Sequence, residues 1–175
     1  MGIMDFAQGI AQAFPLMRGG GAFLAVIGLG ILVGSFGNRR FRTVSLIVGA
    51  ALGVVIMAVG GATKLIFAGL PYPAIWQWIV LGLAFVVEGW LVSIVVRKFP
   101  DLDSRQFWMW MLVIVGAHFL ILGFSHGPIC ALLALLCMAN AFIGLRSSVD
   151  FRVFWAIDGV LKIAAGTAMI LVSYA

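Results

Sequence analysis

The sequence predicts an all-α fold: a polytopic membrane protein built as a six-transmembrane-helix bundle. Three observations point there. Hydrophobic residues make up 64% of the chain and charged residues 10%, where a soluble domain is nearer half apolar and a quarter charged. Six apolar runs succeed one another, each long enough to cross a hydrocarbon layer of about 30 Å. The basic residues gather in the short stretches between those runs. The net charge of +5 therefore reads as orientation and headgroup contact rather than as a nucleic-acid surface.

Residues 1–18, "MGIMDFAQGIAQAFPLMR", lack a basic start and carry Asp5, Gln8 and Gln12, so a removable signal peptide is not expected. Ile3, Phe6, Ile10, Ala13 and Phe14 recur near helical spacing, which fits either a short helix on the membrane surface or a frayed N-terminal segment. The transmembrane domain is expected over 19–175, with spans at about 19–37, 43–67, 74–96, 106–124, 128–145 and 152–174. Span 1 carries Gly30 and Gly34, and span 2 carries Ser45, Gly49 and Gly53. Such small residues let helix backbones approach closely, within the chain or between copies, and a homo-oligomer is expected. Spans 4 and 5 are divided only by "HGP", where Pro128 suits the first position of a new helix because its missing N–H would be unpaired there anyway. "FVVEGWL" in span 3 and "WAIDGVL" in span 6 each place an acid before a glycine. They raise a three-plus-three inverted repeat.

The turns after spans 1, 3 and 5 hold Arg39, Arg40, Arg42, Arg97, Lys98, Arg105, Arg146 and Arg152, against Arg18 and Lys64 on the other side. The positive-inside rule makes those turns cytoplasmic and puts both termini outside a bacterial-type inner membrane. Lys64 is expected to snorkel to headgroups. Trp76 with Trp78, and Trp108 with Trp110, lie at span ends and read as interfacial belts.

Ionisable side chains inside spans cost at least about 2.5–3.5 kcal/mol each on insertion scales and usually face the bundle interior. Glu88, His118, Asp158 and Lys162 are such residues, and Asn140 is a polar neighbour. Asp158 and Lys162 stand four apart on one helix face with the acid first, the favourable order. They form either a packing pair or part of a site for protons or a small polar solute, together with Glu88, His118 and Asn140. His126, at the outer turn, is expected to be exposed and to serve as an entry or pH-sensing group, since histidine titrates near neutrality. Cys130 and Cys137 are about 10 Å apart along a helix, too far for a disulfide. No cofactor or metal motif is evident, and an intramembrane enzyme using His118 or His126 as base lacks a suitably spaced nucleophile.

"HFLILGFSHGP" (118–128), "CMANAFIGL" (137–145) and "IDGVLKIAAG" (157–166) resemble a group of small bacterial multi-pass membrane proteins with no assigned function. The resemblance covers the C-terminal third and groups His118, His126, Asn140, Asp158 and Lys162. "DGVLKIAAG" also resembles the last helix of microbial rhodopsins through Asp158, Lys162 and Gly166, but that family has seven helices. The six spans and the acid-glycine step are similar to acid-gated urea channels, whose tryptophan-rich filters are not recognisable here. The reading that follows is a small channel or transporter for protons, ions or a small polar solute. The alternative is a structural or regulatory membrane protein in which the charges only fix packing.

Overall fold

The computed structural model describes residues 2–58 and 60–175. They form helices and no strands: α1 (Ile3–Ala13), α2 (Met17–Gly34), α3 (Arg39–Ala58), α4 (Gly60–Phe67), α5 (Ile75–Lys98), α6 (Arg105–His126), α7 (Pro128–Arg146) and α8 (Phe151–Tyr174). Six of them, all but α1 and α4, are long and apolar enough to cross a membrane. The second expected span, 43–67, corresponds to α3 and α4 on either side of residue 59, which lies outside the described residues.

Local chemistry sets the helix ends. Ser104 accepts a hydrogen bond from the Phe107 N–H at 3.2 Å to start α6, and Asp150 accepts from the Arg152 N–H at 3.0 Å to start α8. Each relieves one of the unpaired N–H groups that open a helix. Between α6 and α7 the chain reverses at Gly127 (φ 92°), a left-handed value that a residue with a Cβ rarely adopts, and Pro128 begins α7 as expected.

Helices α2, α6, α7 and α8 build the centre: α2 lies along α8, α6 along α7, and α8 also meets α6 and α7. Helix α3 packs on the outside of α2, and α5 on the outside of α6. Two seams of small residues bring the α2 backbone close to its neighbours. A Cβ at Gly30 would stand 2.5 Å from the Ser45 carbonyl oxygen and 3.0 Å from Gly49 Cα, so the small-residue stripe seen in the sequence is an intramolecular seam. A second seam pairs Gly21 and Gly28 with Gly166 and Gly159: a Cβ at Gly159 would lie 2.8 Å from the Gly28 carbonyl oxygen.

Helix α1 lies on α8, burying Ala7 and Ala11 and exposing Met4 and Phe6. Its Gln8 donates to the Ala175 carbonyl, so both termini stand at one end of the bundle. Arg18 ties that end together. It donates to Ser173 Oγ at 3.0 Å, to the Ser173 carbonyl, and to the Leu65 and Ala68 carbonyls at 3.1 and 2.9 Å. These acceptors lie in the last turn of α8 and at the end of α4, where carbonyls lack helical partners and the helix dipole favours a cation.

The repeat suggested by the two acid-glycine steps is matched in part. Helix α2 packs with α3 and α8 as α6 packs with α7 and α5, which exchange of the halves requires. The α7–α8 contact has no comparable α3–α5 counterpart among the described residues. Gly159 is pressed against α2, whereas a Cβ at Gly89 would meet nothing within 4 Å.

Candidate functional site

Asp158 and Lys162 project from α8 into the centre and are 0% and 1% exposed, so lipid and water are both shut out. The Lys162 ammonium donates to Asp158 Oδ2 as the i, i+4 spacing requires. Its other neighbours are soft: Cys137 Sγ at 3.9 Å and the Phe119 ring, whose centroid is 5.4 Å away. An ammonium has three N–H donors, and only the carboxylate accepts strongly here. Asp158 Oδ1 has no partner within hydrogen-bond distance, although the Cys137 thiol also interacts with this carboxylate.

A second pair stands beside it. His118 on α6 directs Nε2 toward Glu88 Oε2 on α5 at 3.8 Å, longer than a hydrogen bond. Its Nδ1 is paired with the Val115 carbonyl at 3.2 Å, so that nitrogen carries the proton. Nε2 is itself buried without a hydrogen-bond partner. It can accept a proton from Glu88 or, once protonated, donate to it. Glu88 keeps a side-chain exposure of 21%. Phe85 and Phe119 flank the imidazole. The Lys162 charge acts electrostatically on both Glu88 and His118. Four ionisable side chains from α5, α6 and α8 therefore share one region.

The remaining expected members lie elsewhere. Asn140 is buried, but its amide donates at 2.8 Å to the Phe154 carbonyl, one turn before Asp158, and so ties α7 to α8. His126 is not exposed: it is buried, pairs with Ser125 Oγ at 2.8 Å and packs against Gly20 of α2. The tight Gly127–Pro128 reversal, covered by Phe14 from the N-terminal segment, draws the turn inward. Lys64 is exposed. Trp76 and Trp78 are about half exposed, as belt residues should be, but Trp108 is buried. Two shallow surface depressions, one around Phe142 and Arg146 and one around Lys64 and Tyr72, are lined by neither Asp158 nor Lys162. Among the described residues no three His, Cys, Asp or Glu side chains gather as a metal site would need.

A protein family described as a family of unknown function (DUF6609) matches residues 7–175. The chain belongs to that family. The match takes in the three C-terminal motifs and nearly all of the remaining chain, and the family description carries no activity. No curated protein and no solved structure matches the chain.

Arg42 was missed by sequence reasoning, which placed it in a basic turn. It lies inside α3, 2% exposed, against the Trp108, Phe151 and Trp155 rings. The available signal was its position at the very start of span 2, with Trp108 and Trp155 near the starts of spans 4 and 6 at the same end of the bundle.

Proposed function

We propose that this DUF6609 protein is a small channel or transporter for protons, ions or a small polar solute, with Asp158, Lys162, Glu88 and His118 as its intramembrane site. One observation carries the reading: Asp158 Oδ1 and His118 Nε2 are buried without hydrogen-bond partners in two ionisable pairs that both contact the Phe119 ring through Lys162 and His118. A pair kept only for packing is stabilising when its lone pairs and protons are all satisfied, and costly otherwise. An atom that must exchange partners during conduction is left available in one state. Glu88, the most exposed of the four, is the entry from the α5 side. His118 passes a proton inward on side-chain rotation, and Lys162 releases Asp158 when that charge arrives. On this reading the complete enclosure of Asp158 and Lys162 corresponds to a closed conformation.

The proposal includes an inner-membrane location with the termini outside, resting on the basic residues at the opposite end. It also includes a homo-oligomer that shares the exposed apolar faces of α3 and α5, which carry Ile47, Val48, Ile79 and Val86. A structural role is the second reading, favoured by the same enclosure of the charged pair. Flux through reconstituted protein, with Asp158→Asn beside wild type, separates the two: loss of flux from a folded variant supports conduction, and absence of any flux from wild type leaves the structural role.

A further inference from the structure

At the basic end, about two turns before Asp158 along α8, three helices begin: α3 at Arg39, α6 at Arg105 and α8 at Phe151. Arg42, Trp108 and Trp155 stand within the first five residues of these helices and converge. The Arg42 guanidinium carbon lies 4.7 Å from the Trp108 ring centre, 4.7 Å from that of Phe151 and 5.9 Å from that of Trp155. The two indoles meet edge to face at 5.0 Å. Gly34 gives the arginine stem its place, since a Cβ there would lie 3.1 Å from Arg42 Cα.

Aromatic faces attract a guanidinium through its plane, but its five N–H donors point outward in that plane and need acceptors. Arg42 makes no side-chain hydrogen bond and no ion pair among the described residues. Arg42 Nε, Trp108 Nε1 and Trp155 Nε1 are all buried N–H groups without a partner. Leaving one buried donor unpaired costs about 1–3 kcal/mol, and here one such donor of a buried cation and those of the two indoles beside it are all unpaired. The charges that act on Arg42 are Arg152, Asp103 and Asp150. Asp103 is engaged with Arg39 at 3.3 Å, and Asp150 caps α8. The caps Asn38, Ser104 and Asp150 take one backbone N–H each, so the positive dipole ends of three helices still face this region.

We propose that Arg42, Trp108 and Trp155 form a binding site for an oxyanion of the phosphate class at the basic end of the bundle. A phosphate has several acceptor oxygens, matches the planar fork of arginine and is favoured at helix N-termini. Two sources share that chemistry: the headgroup of an anionic phospholipid and free inorganic phosphate.

The test follows intrinsic tryptophan fluorescence of the full-length protein in neutral detergent. Phosphatidylglycerol, phosphatidylcholine and inorganic phosphate are each titrated in turn. Trp108→Phe/Trp155→Phe keeps the aromatic faces and every charge but deletes two N–H donors. Because that variant loses two of the fluorophores, its binding is also read by the lipid- or phosphate-induced rise in melting temperature. Arg42→Met is run beside it. Wild type should bind phosphatidylglycerol or phosphate at least tenfold more tightly than phosphatidylcholine, and the double variant should lose at least tenfold of that affinity. Response to phosphatidylglycerol alone assigns the site to lipid; response to phosphate as well assigns it to the free anion. Equal binding of all three by wild type, or unchanged selectivity in the double variant, overturns the proposal. If Arg42→Met does not fold, the double variant decides alone.

Discussion

Lys162 donates to Asp158 one turn earlier on α8, and neither side chain reaches the surface. Removing one partner strands a buried charge. Asp158→Asn and Lys162→Met should each cost about 3–5 kcal/mol, while the combined replacement costs far less than their sum. Denaturant unfolding in detergent measures all three, and simple additivity would mean the two groups do not act as a pair.

The α2–α8 seam depends on residues without side chains. A Cβ at Gly159 would lie 2.8 Å from a main-chain oxygen that has little freedom to retreat. Gly159→Ala should destabilise by about 1–3 kcal/mol, the usual range for overpacking. Gly89→Ala, whose Cβ meets nothing, should be neutral or stabilise by up to about 1 kcal/mol through helix propensity. Thermal denaturation of the two variants provides the comparison, and equal effects would count against close helix contact at Gly159.

Arg18 should be worth more than its single charge. It bridges carbonyls at the ends of α4 and α8. Arg18→Met should cost about 2–4 kcal/mol, because hydrogen bonds to charged groups are worth about 1.5–3 kcal/mol each. Arg18→Lys should recover less than half, since one ammonium cannot span the same acceptors. Hydrogen exchange at residues 65–70 and 171–175 reports whether those two ends loosen together.

Glu88 separates conduction from stability. It is partly exposed, and its distance from His118 exceeds a hydrogen bond. Glu88→Gln should therefore change unfolding stability by less than about 1 kcal/mol, as for a weak, partly exposed pair, yet reduce flux at least tenfold. Unfolding and flux measured on one preparation check both parts.

Much of this fold is legible in the sequence because the spans are long, apolar and separated by capped, charged turns. Pro128, Ser104 and Asp150 mark helix starts, and the i, i+4 spacing already puts Asp158 against Lys162. What is hidden is the direction each helix faces. A helix apolar all round has no distinguishable inner side, so a tryptophan near its end reads equally as belt or core. Trp76 is half exposed, as a belt residue would be, and Trp108 lies in the core. Arg42 falls in the same gap: its burial depends on Trp108 and Trp155, more than sixty residues away in sequence. His126 is buried against Gly20 of α2, with Phe14 covering the neighbouring Gly127, long-range contacts that its own neighbourhood does not signal. The Gly21/Gly28 and Gly159/Gly166 pairs, both spaced by seven, were the readable trace of the α2–α8 seam.

The most direct test is flux through the purified protein in liposomes containing a pH-sensitive dye. A pH step and a potassium-diffusion potential are imposed, and osmotic swelling then covers small neutral solutes. Wild type should conduct in at least one mode, and Asp158→Asn, shown folded and inserted, should lose at least tenfold of that flux. Flux no higher than in empty liposomes in every mode, or full flux through Asp158→Asn, would contradict a conducting role for the buried site.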